Sequence, residues 1–128
     1  MPAAPVQRLE ADPASVRAAR RAVTAAVDGQ VDADALDRLL LCASETVTNA
    51  IEHGVPPIDL TVDVQRDRVR VHVHDHSGGE LRVRDPGPSA VRGRGLLIVD
   101  RCADAWGVDH TADGKDVWFE IRRSPASG

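Results

Sequence analysis

The sequence has no tyrosine, one phenylalanine and two tryptophans among 128 residues. Binding of single-stranded nucleic acid relies on aromatic stacking platforms and a positive groove. The chain supplies few aromatics and carries a formal net charge of −4, so no nucleic-acid partner is expected. Lysine is nearly absent: Lys115 is the only one, and the other fixed cations are arginines. Long apolar runs are missing too. No stretch approaches the roughly 18 apolar residues that mark a membrane span. The N-terminus MPAAPVQRLEADPAS shows no basic-then-apolar signal, so a cytoplasmic setting without a membrane is expected. The two cysteines, Cys42 and Cys102, have no CxxC or Cys/His zinc spacing around them, and reduced structural thiols are expected.

What is present is an ordinary globular composition, 42% hydrophobic and 28% charged, in a length that fits one domain spanning 1–128. PVQRLEAD reads as a short edge strand. Pro13-Ala14-Ser15 opens a helix capped by Ser15 or Asp12, with a stripe of Val16, Ala19, Val23 and Ala26, ended by Gly29. A second helix starts after Asp32 and runs to about His53. Its stripe is Leu36, Leu39, Leu40, Ala43, Val47, Ala50 and Ile51, at spacings of three and four. IDLTVDVQ and RVRVHVHD alternate as two strands joined by a turn at Arg66-Asp67. Glycines and prolines break the pattern from Ser77 to Arg92. A third helix runs from about Gly95 to Ala103, followed by WGVDHTA and DVWFEIRR around a turn at Asp113-Gly114. No internal repeat, linker or second domain is visible. The order predicts an α+β fold: a two-layer α/β sandwich, with a mixed, mostly antiparallel sheet covered on one face by three helices.

Four features could carry chemistry. In ETVTNAIEHG, residues Glu45, Asn49 and His53 stack on consecutive helical turns, on a band away from the Leu36–Leu40–Val47 stripe. A solvated helix face accounts for such a ladder; so does a site, and asparagine is a poor helix former without a task. Asp75 continues the core-facing row Val69, Val71 and Val73. A carboxylate there needs a partner, either the backbone of the SGG loop or the amine of a ligand. In GRGLLIVD, Gly93 and Gly95 precede an apolar helix, near Arg82, Arg84, Arg92 and Arg94. The motif is either a turn or a phosphate site at a helix start. His72, His74 and His76 share a strand face. A zinc site is disfavoured there by Arg68 and Arg70 and by the lack of a carboxylate or cysteine beside the histidines on that strand face, and a polar outer face is preferred.

In this order the pieces resemble the ATP-binding domain of the GHKL superfamily, which includes gyrase, the heat-shock chaperone, histidine kinases and mismatch-repair ATPases. The likeness is closest to the small anti-sigma-factor serine/threonine kinases of bacteria. ETVTNAIEH looks like their N box, VHDHSGG like the first glycine box, GRGLLIVDRCADAWGV like the second and GKDVWFEI like the last strand. The resemblance implies a Bergerat fold binding ATP and Mg2+. Asn49 would hold Mg2+, Glu45 would be the catalytic base, and Asp75 would contact the adenine amine. His53, Gly78, Gly79, Arg92, Gly93, Arg94, Gly95 and Leu96 would complete the nucleotide site. Ser77 stands where the family has Gly, and Asp116 where it has Thr. The implied partners are a sigma factor and an antagonist protein with a phosphorylatable serine. Related kinases often pair, so a homodimer fits the resemblance. A partner-binding module without catalysis is the alternative.

Overall fold

A computed structural model describes residues 7–77 and 94–123. Its elements are β1 (Gln7–Leu9), α1 (Ala14–Ala26), α2 (Ala33–His53), β2 (Ile58–Val64), β3 (Arg68–Asp75), α3 (Arg94–Cys102), β4 (Ala105–Thr111) and β5 (Gly114–Arg122). The strands form one sheet in the order β1-β2-β3-β5-β4. Each neighbouring pair is antiparallel. The helices pack on one face, giving the two-layer α+β sandwich that the sequence predicts.

Alternation in the strands fixes the buried face. Leu60, Val62 and Val64 stand opposite Val73, Val71 and Val69 on β3. Those three stand in turn opposite Val117, Phe119 and Ile121 on β5. Apolar side chains therefore meet apolar side chains at every step across three strands, and such cross-strand pairs are the unit of sheet stability. All nine are buried except Val64, which lies half-exposed at the β2 end. Burying a side chain of this size is worth about 1.5–3 kcal/mol.

The helices begin where their caps allow. The Asp32 backbone is extended, and its carboxylate accepts the Ala35 N–H at 2.8 Å, which starts α2. For α1 the capping group is Asp12, whose Oδ1 accepts the Ala14 N–H at 2.8 Å. Ser15 lies inside the helix and donates its hydroxyl to the Glu10 carbonyl at 2.9 Å. The helix stops at Ala26, earlier than Gly29 suggests; Gly29 instead supplies a left-handed turn at φ 74° on the way to Asp32.

In α2 the fully enclosed residues are Leu39, Cys42, Ala43 and Val47, while Leu36, Leu40 and Ile51 are half-buried. The inward face is thus rotated from the stripe read in the sequence, because α3 as well as the sheet covers this helix. The Arg38 guanidinium donates two hydrogen bonds to the Cys102 carbonyl, at 3.0 and 2.7 Å, and caps the end of α3. That contact fixes the C-terminus of α3 beside the first turns of α2. From there α3 packs against α2.

Candidate functional site

The site forms where α2 and β3 end together. The His76 N–H donates to the Val55 carbonyl at 2.8 Å and ties the exit of the helix to the exit of the strand. Asp75, the last residue of β3, is 1% exposed. One carboxylate oxygen, Oδ1, accepts the Ser77 N–H at 2.8 Å. The other, Oδ2, lies 3.5 Å from Lys115 Nζ on β5, directly across the sheet. Both partners anticipated for this carboxylate are therefore possible in one place: the loop backbone takes one oxygen, and the second keeps acceptor capacity beyond its long contact with Lys115.

Gly54 closes the arrangement. A Cβ at Gly54 would lie 2.7 Å from both Cγ and Oδ2 of Asp75, so a larger residue would displace the carboxylate. In the sequence Gly54 reads only as a helix stop; its closeness to Asp75 depends on tertiary folding. Lys115 was also missed, although its parity with Val117 and Phe119 places it on the inner face. The same parity sends Asp116 to the opposite face, where its Oδ2 meets His72 Nδ1 at 2.8 Å. The negative charge that replaces a threonine in the resemblance thus lies on the far side of the sheet from Asp75. The Ser77 hydroxyl is buried and has no hydrogen-bond partner among the described residues, so it is a polar atom that a ligand or its water could satisfy.

The ladder on α2 divides into three environments. Asn49 is 9% exposed. On a wheel of 3.6 residues per turn it falls within about 20° of the enclosed Cys42, so the amide lies on the inner side of the helix and not on a solvated band. Glu45, one turn earlier, is half-buried. His53 is exposed, with its side chain 58% accessible beside Glu52. The fold encloses Asn49, half-encloses Glu45 and leaves His53 outside. The Cys42 thiol is pushed up to about 12, chiefly by burial, with Cys102 and Glu45 adding to the effect. Both cysteines are free, as the sequence suggests.

The proposed phosphate end is described only at its helix. Arg94 and Gly95 are the first residues of α3, whose leading N–H groups have no intrahelical partner and favour anions. Leu96 is 4% exposed and belongs to the core with Val99, so its side chain packs and does not line an open pocket. Gly78, Gly79, Arg92 and Gly93 lie outside the described residues. Among the described residues, no helix is long and apolar enough to cross a membrane.

A buried carboxylate with acceptor capacity, an enclosed asparagine and a half-buried glutamate one turn apart suit a purine, a hard cation and a base. Comparison with known proteins gives the same direction. The profile of the family described as histidine kinase-like ATPase domain matches residues 9–121. Among solved structures, the fold is similar to the histidine kinase domain of the blue-light activated histidine kinase from Erythrobacter litoralis EL346, with a TM-score of 0.51 at 20% sequence identity. That likeness covers 85% of this chain and 59% of the other. No curated protein matches. The chain belongs to the histidine kinase-like ATPase domains, the ATP-binding modules of the GHKL superfamily.

Proposed function

We propose that the chain is an ATP-dependent serine/threonine protein kinase of the anti-sigma type, which phosphorylates an antagonist protein and sequesters a sigma factor. The observation that carries the nucleotide part is Asp75, a carboxylate 1% exposed, backed by a glycine and with acceptor capacity left. An exocyclic amine such as that of adenine donates to such a group. The O6 of guanine, an acceptor, is repelled by it. The Ser77 hydroxyl, enclosed beside Asp75, adds a second polar contact for the base or a bridging water.

Asn49 presents a carbonyl oxygen, the ligand type that suits Mg2+. Bound there, Mg2+ would offset phosphate charge. Glu45 precedes Asn49 by one turn, and its carboxylate is only half-buried. It can therefore accept a proton from a partner's serine hydroxyl as that oxygen bonds to the terminal phosphorus and the bond to the departing diphosphate breaks. A base in this role contributes about 10²- to 10⁴-fold in rate. The free N–H groups at the start of α3 add favourable potential for phosphate.

A second reading, an ATP-binding or partner-binding module without transfer, draws support from Lys115. Its ammonium shares Asp75 with any incoming amine and competes for the same oxygen. Two substitutions separate the readings. With a candidate antagonist and labelled ATP, Glu45→Ala is expected to retain nucleotide and partner binding while phosphate transfer falls by about 10²-fold or more. Asn49→Ala is expected to lose Mg-ATP binding and transfer together. Transfer by Glu45→Ala at the unmodified rate removes Glu45 from the role of base. Nucleotide binding with no transfer by the unmodified protein favours the module.

A further inference from the structure

Two histidine rings on the outer face of the sheet converge on one carboxylate that comes from elsewhere in the chain. His74 Nε2 lies 3.4 Å from Asp113 Oδ1, and His76 Nε2 lies 3.9 Å from Asp113 Oδ2. One ligand atom from each of these three residues lies within 4.8 Å of the other two. Among the described residues this is the one such group of three. We propose that His74, His76 and Asp113 form a site for a transition-metal ion of the zinc type, with a fourth position left to water.

The spacing fits that ion. Zinc bonds to nitrogen and oxygen of about 2.0–2.2 Å in a tetrahedron put neighbouring ligand atoms about 3.3–3.5 Å apart. The His74–Asp113 separation already has this value; His76 Nε2, 3.9 Å from the other carboxylate oxygen and within 4.8 Å of the remaining ligand atoms, has to close in. Asp113 lies in the β4–β5 turn with its side chain 67% exposed, so it is the freest of the three to adjust. The rings of His74 and His76 stand edge to face with centroids 4.9 Å apart, so the two imidazoles are neighbours at this corner of the sheet.

The surrounding groups prepare the ligands. His76 Nδ1 lies 2.8 Å from the Pro57 carbonyl oxygen, which can only accept. Nδ1 therefore carries a hydrogen, which leaves Nε2 as the nitrogen that can bind an ion. The Thr111 hydroxyl donates to Asp113 Oδ1 at 2.9 Å and orients that carboxylate.

Competing charges on this face are already engaged. Arg68 and Arg70 lie 3.4 and 3.2 Å from Glu120, and the Arg70 guanidinium also covers the Trp118 ring at 4.0 Å. The sequence argument against a metal rested on those two arginines and on the lack of a carboxylate beside the histidines on their strand face; the fold offsets the first and supplies the second from the β4–β5 turn. His72, in the same row, is taken by Asp116 and stays out of the site. Asp59 Oδ2 is 3.9 Å from His76 Nε2, but that carboxylate is held by Arg8 at 2.7 and 3.1 Å. Two imidazoles and one carboxylate suit zinc and related ions and not Mg2+, so the site is chemically distinct from the one proposed on the other face.

The position also links the two faces. Gly114 follows Asp113, and a Cβ there would overlap the Asp75 carbonyl oxygen. The turn that supplies Asp113 is therefore packed on the backbone of Asp75. An ion bound at this site would brace the end of β3 from behind.

The test is titration of the metal-stripped full chain with Zn2+ by calorimetry, and with Co2+ followed by its visible absorption, both without nucleotide. One ion per chain is expected, with the strong visible bands of tetrahedral Co2+, unaffected by millimolar Mg2+. Asp113→Asn and His74→Ala are each expected to weaken binding by at least about tenfold. His72→Ala and Asp59→Asn are expected to leave it within about twofold. Asp113 is exposed, so its substitution tests the site without risk to the core. No saturable binding, or undiminished binding in both Asp113→Asn and His74→Ala, overturns the proposal.

Discussion

The two faces of β3 are made from adjacent residues and have opposite characters. On the inner face, Val69, Val71, Val73 and Asp75 are at most 1% exposed. On the outer face, Arg68, Arg70, His72 and His74 are all half-exposed and pair with Glu120, Asp116 and Asp113. The inner face contains one charge pair, Asp75 with Lys115, and the outer face contains several. Yet the single inner pair should matter more. A carboxylate removed from water must be satisfied by a few defined contacts, and the loss of any one is felt; an exposed pair trades protein contacts for water at little loss.

The largest expected effect is on the inner face and concerns stability alone. Phe119 is 0% exposed and stands between Val71 on β3 and Trp106 on β4. Phe119→Ala should destabilise the fold by about 3–5 kcal/mol, measured by urea unfolding. A loss below 1 kcal/mol, the scale of a surface change, would break the assignment of this face as the core.

Next comes Asp75→Asn. A hydrogen bond to a charged group is worth about 1.5–3 kcal/mol, so ATP affinity should fall roughly 10- to 150-fold by calorimetry. GTP should bind the unmodified protein poorly. Equal affinity for the two nucleotides would remove Asp75 from the recognition of the base. The substitution also leaves Lys115 without its carboxylate, so stability is measured alongside.

How much of this contrast could be read from the sequence depends on range. The inner row Val69, Val71, Val73 follows from alternation alone, and α2 is bounded by the Asp32 cap and the glycine at 54, both local signals. The side of β5 on which Asp116 falls was legible too, because Val117, Phe119 and Ile121 set the parity. The enclosure of Asn49 was not, since it depends on how the other elements pack around α2. Nor was the meeting of His74 with Asp113, which requires the antiparallel register of β3 on β5 and a turn at the right end of it. Resemblance to GHKL domains placed Glu45, Asn49 and Asp75 by motif; it had nothing to say about Gly54 against Asp75, or about Lys115 against the same carboxylate, because both are tertiary contacts.

On the outer face the effects should be smaller. Glu120 serves both Arg68 and Arg70, whose side chains are 41% and 32% exposed. Glu120→Gln should reduce stability by no more than about 1 kcal/mol, and the difference should shrink as salt is added. A loss comparable to that of Phe119→Ala would erase the distinction between the faces.

The smallest effect is a matter of pH. On the outer face, the Arg8 hydrogen bond holds the Asp59 carboxyl below the ordinary aspartate value of 3.8, against an opposing push from partial burial. A folded value lower than the unfolded one means that the unfolded chain binds the proton first as acid is added. The contribution of this pair is therefore complete at neutral pH, begins to fail as pH drops toward 3.8, and is gone below the folded value. Arg8→Ala should be slightly less stable than the unmodified chain at neutral pH, and the gap between their urea midpoints should close once Asp59 is protonated. A gap that stays constant through that range would mean that Arg8 acts by packing on the edge strand and not by its charge. On the inner face the same comparison has another sense: substitution of Phe119 removes no proton-binding group, so its stability deficit should not narrow in acid in the way expected for Arg8.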